Sequence, residues 1–397
     1  MTQTMRSHDA PVDIDALISG VDVDIASARG VDNAAYVDPR MLALERDRLF
    51  APTWACIGVG NDVPERGDLF PVELLGLPLL MVRDRDGGIR VFHNVCSHRG
   101  LRLVEEAGTT RRTIVCPYHS WTYDLDGTLR GTPHIGGQDR HECEGFDRAR
   151  HGLRSVRCAV WFDLVFVNLS GDAPDFARHV SALSQRWAHL DPEHFRHGGP
   201  DSCWELEVAC NWKLAVENHN DAYHLPWVHR SLNSYSRFED HYDIVGDDHY
   251  AGQGSLAYRA PRPEWAPPLP QVADLPAAWR ERAEYVALFP NAIVGIHADH
   301  FWTVCLEPLA CDRTRERMNI YYLGDSPRGE EFAPVRSAVC AEWLRIFAED
   351  RGVVEGMQRG RHSPAFAGGV FSPVLDAPTH QFHRWFARRF PRAGAAT

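Results

Sequence analysis

The chain has 397 residues, a formal net charge of −12, 44% hydrophobic residues and 24% charged residues, a composition typical of a soluble globular protein with two or three domains. The acidic balance and the lack of a basic stripe argue against nucleic acid as a partner. No apolar run approaches the ~20 residues that span a bilayer, and the N-terminus has no apolar signal core, so the sequence predicts a cytoplasmic protein without membrane attachment.

Residues 1–45 are predicted to form an N-terminal arm followed by one helix. Residues 1–36 are polar, with glycine and aspartate scattered through them, and predict a partly ordered arm. Asp38 followed by Pro39 is typical of a helix N-cap with proline at the first helical position. The helix is predicted to run to about Phe50.

Residues 46–170 are predicted to form a small all-β domain. Strands over residues 77–82 and 89–92 flank a turn-forming segment at residues 84–88. Strands over residues 121–125 and 128–129 flank Asp126-Gly127, another hairpin turn. A strand at residues 164–169 closes this block.

Two cysteines and two histidines in this block follow the pattern C-x-H-x17-C-x2-H, on loops beside the predicted hairpins: Cys96, His98, Cys116 and His119. Rieske [2Fe–2S] centres bind one iron through two cysteines and the other through two histidines. A structural zinc ion accepts the same four ligands. The four residues alone leave both interpretations open. The other eight cysteines are predicted to be reduced, small buried side chains.

Residues 171–397 are predicted to form a larger domain of helices and an antiparallel sheet. Helices are predicted over residues 171–187 and 330–358, and strands over residues 204–208, 285–296, 301–306 and 317–323. Residues 261–278 are rich in proline and predict a loop. The whole is an α+β protein in which the all-β domain is inserted into the larger domain.

A second group of metal-binding residue types lies in a helix predicted to end near Pro226. On that helix Glu217, Asp221 and His224 are spaced i, i+4 and i+7 and share one face. Because Pro226 would break the helix, His229 is expected to approach from another direction. Two histidines and one carboxylate on one face of Fe(II) leave coordination positions open for O2 and substrate.

The carboxylate ligand that would complete this site is predicted from the long C-terminal helix. Its apolar stripe consists of Val339, Trp343, Ile346, Val353 and Met357. Asp350 falls near the centre of this stripe, whereas Glu349 lies towards its edge and Glu355 on the opposite side. Burying an ionised carboxylate is costly unless it is paired or bound to a metal. This favours Asp350 as the third ligand; the alternative is an aspartate that pairs with an arginine or faces a water-filled gap.

In this order, the motifs resemble those of the α subunit of Rieske non-haem iron ring-hydroxylating oxygenases. The first motif continues through Trp121, Tyr123, Asp124 and Gly127. The family patterns N-W-K … E-N … D-x-Y-H-x4-H, E-D-x4-E and F-H-R-W occur at residues 211–229, 349–355 and 382–385. The resemblance covers nearly all of the chain after about residue 45, and two independent metal signatures make it specific.

The resemblance implies an all-β Rieske [2Fe–2S] domain inserted in a helix-grip catalytic domain. It implies that the cluster ligands are Cys96, His98, Cys116 and His119. It implies that the ligands of a mononuclear Fe(II) are His224, His229 and Asp350. Asp221 corresponds to the carboxylate that joins the iron site of one subunit to a cluster histidine of its neighbour in a homotrimer, and Asn218 to a residue behind the iron ligands.

The implied function is that of a terminal oxygenase that uses O2 and electrons from a separate NAD(P)H-dependent reductase, because this chain has no Gly-rich dinucleotide fingerprint. The reaction would be mono- or dioxygenation of a small organic substrate, N-demethylation included. Residues 288–302 and the helix around Asp350 resemble the branch that acts on betaine, choline and carnitine-like quaternary amines.

Three alternatives stay open at this stage. One is ring hydroxylation of an aromatic acid, because an aromatic pocket accepts a benzene ring as well as a quaternary ammonium ion. The candidate pocket aromatics, at least half of them expected in the core, are Trp227, Tyr235, Phe238, Tyr285, Phe301 and Trp302. The others are a Rieske electron carrier without oxygenase activity and a zinc-stabilised binding module, neither of which needs His224, His229 and Asp350.

Overall fold

The structure, a computed structural model, describes residues 11–110, 112–246, 248–259, 265–324 and 328–390. The described part of the N-terminal arm packs into the main hydrophobic core, which its polar composition did not predict. Val21, Val31 and Tyr36 are buried there. The backbone N–H of Val31 donates to Nδ1 of His383, 3.0 Å away near the C-terminus. The arm is therefore tied to the last helix of the chain; its residues 1–10 lie outside the described ranges.

The first helices are short and are bounded as follows: α1 Ile14–Leu17, α2 Ala34–Val37, α3 Arg40–Glu45, and a π-helical turn Arg46–Phe50. The helix predicted up to Phe50 is confirmed as α3 and this turn. Asp38 accepts a hydrogen bond of 2.9 Å from the backbone N–H of Arg40, as expected of a residue that caps the helix start.

Ten strands form two antiparallel sheets within the described part of residues 55–168. They are β1 Ala55–Val59, β2 Asp68–Leu74, β3 Leu77–Arg83, β4 Ile89–His93, β5 Gly108–Thr109, β6 Thr113–Val115, β7 Thr122–Asp124, β8 Leu129–Gly131, β9 Ser155–Trp161 and β10 Leu164–Asn168. The larger sheet has the order β1-β10-β9-β4-β3-β2-β5, and the smaller has the order β6-β7-β8. Both predicted hairpins, β3–β4 and β7–β8, are confirmed.

The rest of the chain is built on another antiparallel sheet, of eight strands within the described residues. Its strands are β11 Phe195–His197, β12 Cys203–Val208, β13 His241–Val245, β14 Tyr250–Ser255, β15 Ala283–Leu288, β16 Ala292–Ile296, β17 His300–Ala310 and β18 Arg313–Leu323. The order is β11-β18-β17-β16-β15-β14-β13, and β12 also pairs with β18. The sequence analysis missed β13 and β14, whose apolar residues do not alternate clearly.

The single strand predicted over residues 285–296 is wrong, because the chain reverses between β15 and β16. Residue Asn291 lies in this turn and exchanges two side-chain hydrogen bonds, of 2.9 and 2.8 Å, with the backbone of Cys56 in β1. The turn thus joins the eight-stranded sheet to the seven-stranded sheet of the first domain. Pro290-Asn291 in the middle of the apolar run was the available turn signal, and the sequence analysis did not use it.

The helices of the second domain are α4 Phe176–His179, α5 Ser181–Arg186, α6 Trp212–Asn220, α7 Leu225–Val228, α8 Ala333–Gly360 and α9 Ala377–Arg388. The predicted helix over residues 171–187 is two short helices, whereas the long C-terminal helix is confirmed as α8. Helix α6 packs on β14, β15 and β17 and against α8 and α9. A sheet that holds helices on one face in this way is the helix-grip arrangement that the resemblance implied.

Candidate metal centres and catalytic cavity

His224, His229 and Asp350 come together at one point between α7 and α8. Nε2 of His229 lies 3.1 Å from Nε2 of His224 and 2.9 Å from Oδ1 of Asp350. Nε2 of His224 lies 3.5 Å from the same oxygen. The three candidate ligand atoms are all within 4.8 Å of one another, and His229 is buried. The structure thus brings together the three side chains that the sequence analysis predicted as ligands of one metal ion.

The two histidines occupy the two ends of α7, with His224 just before its first residue and His229 just after its last. Pro226 lies in the first turn of α7, where its missing N–H costs nothing. The predicted helix to Pro226 is wrong, because α6 ends at Asn220 and the backbone of Asp221 is extended. Glu217, Asp221 and His224 therefore do not share a helix face.

Hydrogen bonds on the far side of each ring determine which nitrogen faces the centre. Nδ1 of His229 is 2.9 Å from Oε2 of Glu349, and Nδ1 of His224 is 3.3 Å from Oδ2 of Asp221. A ring that donates through Nδ1 to a carboxylate presents the lone pair of Nε2. No donor with hydrogen-bond geometry reaches Oδ1 of Asp350 among the described residues. Three lone pairs thus converge, an arrangement that is unfavourable without a cation and that suits Fe(II).

The electrostatics of His229 agree with a site built for positive charge. Burial lowers the pKa of His229, but the carboxylates of Asp350 and Glu349 more than offset burial, so the pKa lies above its ordinary value. Glu349, which periodicity placed only towards the edge of the stripe, contacts the ring of His229, and the sequence analysis did not include it in the site. Its position next to Asp350 was the available signal.

The two remaining predicted residues lie around this centre. Asn218 lines the cavity beside His224. Asp221 keeps a quarter of its side chain exposed. Its carboxylate accepts a hydrogen bond from the backbone N–H of Tyr223, whose exposed ring packs against that of exposed Trp227. The carboxylate of Asp221 therefore lies between the partly buried ring of His224 and the protein surface.

The four residues of the first motif lie on two neighbouring loops of the first domain. Cys96 and Cys116 are buried, and the rings of His98 and His119 are 4.7 Å apart. The hydroxyl of Tyr123 is 3.1 Å from Sγ of Cys96. Burial raises the pKa of the Cys96 thiol.

The spacing of these four side chains bears on the choice between zinc and a cluster. A zinc ion holds its ligand atoms at about 2.0–2.3 Å and so draws them close together. Over the part of the chain that the structure describes, the group of His224, His229 and Asp350 is the one in which three such ligand atoms gather within 4.8 Å. The cysteine pair and the histidine pair match the ligand set of a Rieske centre, in which each of two irons takes one pair.

A cavity opens onto the iron-ligand candidates between the eight-stranded sheet and helices α6 and α8. Four aromatic side chains line it: Tyr285, Trp302, Trp343 and Phe347. The ring centroids of Trp302 and Trp343 are 4.9 Å apart, and those of Tyr285 and Trp343 are 5.6 Å apart. The cavity therefore presents an aromatic wall to a small substrate.

Of the predicted pocket aromatics, only Tyr285 and Trp302 line this cavity. Trp227 is exposed to solvent, and Phe301 packs against Tyr321 in a separate core on the other face of the sheet. The hydroxyl of Tyr235 donates to Glu342. Phe238 packs at the edge of the main core. Trp343 and Phe347 were missed as pocket residues because their helical stripe predicted core packing.

Charged and titratable side chains also line the cavity. Glu316 is buried on β18, and burial together with the charge of Asp350 raises its pKa to about 8. Burial lowers the pKa of His219 to about 4, so that this imidazole is neutral at pH 7. Arg351 forms an ion pair of 2.9 Å with Glu355.

Two family models match the chain. The model for the Rieske [2Fe-2S] domain matches residues 53–142, and that for the ring hydroxylating alpha subunit (catalytic domain) matches residues 195–392. The chain belongs to the family of Rieske non-haem iron ring-hydroxylating oxygenases, as a catalytic α subunit. It is therefore an oxygenase that carries a [2Fe–2S] cluster and Fe(II) and works with a reductase, O2 and a small-molecule substrate.

The chain is 27% identical over 388 residues to the glycine betaine monooxygenase oxygenase subunit of Chromohalobacter salexigens. The matched region covers 89% of this chain and 84% of that protein. It is 27% identical to the chloroplastic choline monooxygenase of Arabidopsis thaliana, over 94% of this chain and 86% of that protein. The crystal structure of the quaternary ammonium Rieske monooxygenase CntA has the same fold, with a TM-score of 0.76, 20% identity, and coverage of 96% of this chain and 99% of that chain.

These findings favour an oxygenase over the two other functions, a Rieske electron carrier without oxygenase activity and a zinc-stabilised binding module. Within the described residues, none of the helices combines the length and the apolar character needed to cross a membrane.

Proposed function

We propose that this protein is the terminal oxygenase of a system that oxidises a small quaternary amine, with His224, His229 and Asp350 as ligands of Fe(II). The observation that carries the assignment of the ligands is the convergence of three lone pairs, those of the two Nε2 atoms and of Oδ1 of Asp350. When bound, Fe(II) supplies open coordination positions for O2 beside the substrate.

The four residues of the first motif, Cys96, His98, Cys116 and His119, are proposed as the ligands of the [2Fe–2S] cluster. The two cysteines are buried and the two histidines are partly exposed, so these four residues would hold a cluster close to the protein surface. We place this Rieske domain at residues 46–170, between residues 1–45 and a catalytic domain at residues 171–397.

Electron transfer between subunits is proposed to pass through Asp221. Its carboxylate contacts His224 on one side and solvent on the other, and exposed Tyr223 and Trp227 form an aromatic surface beside it. On the Rieske domain, Tyr118 is likewise exposed next to His119. Exposed aromatic side chains at both places fit burial in a subunit interface, as a homotrimer would provide. The electrons would come from a separate NAD(P)H-dependent reductase in the cytoplasm.

The cavity favours a quaternary amine over an aromatic acid. Aromatic faces bind a quaternary ammonium ion by cation–π attraction, worth ~0.5–2 kcal/mol for a good contact. An aromatic acid would need a cation for its carboxylate, and the arginine that lines the cavity, Arg351, is paired with Glu355. The similarity to a glycine betaine monooxygenase and to a choline monooxygenase supports the same substrate class.

The test is substrate-dependent O2 consumption by the anaerobically purified holoenzyme with a surrogate reductase. Choline, glycine betaine and carnitine are compared with benzoate and salicylate, and products are identified by mass spectrometry. We expect O2 consumption with at least one quaternary amine and none with Asp350→Ala. Turnover of the aromatic acids alone would contradict the proposed substrate class.

A further inference from the structure

Glu316 differs from the other buried carboxylates of the catalytic domain. It lies on β18, and only 6% of its surface is exposed. Buried Glu217 and Glu284 each pair with an arginine, at 3.3 and 2.6 Å. Among the residues that the structure describes, no hydrogen bond or ion pair engages the carboxylate of Glu316, although buried polar groups are almost always satisfied.

The unpaired carboxylate side chain lines the catalytic cavity. Glu316 lies opposite Leu306 in the pairing of β17 with β18, two rungs from the pair of Trp302 and Ile320, on the same face of the sheet. The acid and the aromatic wall therefore belong to one cavity.

The other charged side chains around the cavity do not pair with Glu316. Asp350 is acidic and raises the pKa of Glu316, as burial does. Arg351 is paired with Glu355 and is half exposed, and His219 is neutral at pH 7. A cation inside the cavity would offset both effects and favour the ionised form of Glu316.

We propose that Glu316 supplies the negative charge with which the cavity selects a positively charged ammonium substrate over an uncharged molecule of the same shape. A quaternary ammonium ion has no N–H to donate, so its attraction to a carboxylate is electrostatic and acts through the poorly solvated interior of the cavity. The aromatic rings hold the methyl groups, and Glu316 supplies the preference for charge. This role rests on the proposed function.

The direct test compares two ligands of equal shape that differ in charge. Choline and its carbon isostere 3,3-dimethylbutan-1-ol are titrated into the anaerobic holoenzyme, and dissociation constants are measured by calorimetry. We expect choline to bind at least roughly tenfold more tightly than the isostere, the order expected of one charge interaction in a protein interior. Equal binding of the two ligands by the wild-type protein would overturn the proposal without any variant.

Variants assign the preference to one side chain. In Glu316→Gln we expect the preference for choline to fall to about threefold or less, because the shape of the side chain is kept and its charge is lost. Glu316→Asp keeps the charge and should retain most of the preference. Glu207→Gln is the matched control, since it removes a carboxylate from the neighbouring strand β12 that pairs with Arg313 outside the cavity. An undiminished preference in Glu316→Gln overturns the proposal.

The outcomes also separate this inference from the proposed function. Strong, Glu316-dependent binding of choline without any O2 consumption by quaternary amines would support the cation site and contradict the proposed reaction. O2 consumption with quaternary amines, together with a charge preference that Glu316→Gln leaves intact, would support the reaction and overturn the role of Glu316.

Discussion

Two clusters of buried charge lie on either side of α6, and they differ in how completely their groups are paired. In the first, Glu217 accepts a hydrogen bond of 2.5 Å from Tyr36 and lies 3.3 Å from Arg361 and 3.4 Å from His383. In the second, Oδ1 of Asp350 has no hydrogen-bond donor among the described residues. The carboxylate of Glu217 has its partners in the folded chain and stabilises it, whereas Oδ1 of Asp350 would gain a partner from a bound cation.

The largest effect is expected at Glu217. Glu217→Ala leaves Arg361 and His383 buried without their partner, and we expect it to lower the free energy of unfolding by about 3–5 kcal/mol. The measurement is denaturant unfolding of the purified protein followed by circular dichroism, with Glu355→Gln as an exposed-pair control. A loss below about 1 kcal/mol would show that the Glu217 cluster is not structural.

Asp221 tests the connection between the two metal sites. Asp221→Ala removes the carboxylate that contacts His224, and we expect turnover to fall by roughly 100-fold, the scale of a lost positioned polar group, while both metals stay bound. Steady-state O2 consumption and an iron and sulfide count on the same sample check this. Normal turnover would contradict the role of Asp221 as the bridge.

Glu349 tests the support of the metal ligands from behind. Glu349→Gln weakens the hydrogen bond that orients His229, and we expect the affinity for Fe(II) to fall by about 10–100-fold, as is usual for such supporting groups. Competition with a chelator measures the affinity, and the cluster absorbance serves as the internal control. An unchanged affinity for Fe(II) would contradict a role of Glu349 in supporting His229.

The smallest effect is the pH dependence that Glu217 contributes to stability. Burial raises its pKa, but His383, Arg361 and Tyr36 outweigh burial and lower the pKa to about 2, from 4.5 for a free glutamate. A lowered pKa contributes stability that is present above pH ~4.5 and is lost as the pH falls towards 2. Unfolding at a series of acidic pH values should therefore show a flatter pH profile in Glu217→Gln; the same slope in both proteins would contradict the assignment.

Spacing along the chain predicted the ligand sets, but it did not predict how the backbone presents them. The helix was expected to continue through Asp221 and His224 to Pro226, and instead it ends at Asn220 and a new helix, α7, starts at Leu225. The backbone conformation there is determined by packing and by hydrogen bonds to distant residues, which local periodicity does not contain.

The long helix shows the same limit in its second half. Its stripe was predicted through Val353 and Met357, and the buried residues are Val354 and Gln358. Asp350, predicted as the third metal ligand, nevertheless lies beside His224 and His229, because a shift of one position leaves it on the same side of the helix. Glu316 gave no signal, since a single acid in a strand is as easily exposed as buried.

The most direct test of the account is the metal content of wild-type protein and of Asp350→Ala after anaerobic purification, with visible spectra of both. A chain with one cluster and one separate Fe(II) contains about three irons and two sulfides. We expect Asp350→Ala to contain about two irons and two sulfides with an unchanged cluster spectrum. A variant that keeps its third iron, or a wild-type protein that holds zinc without sulfide, would contradict the assignment.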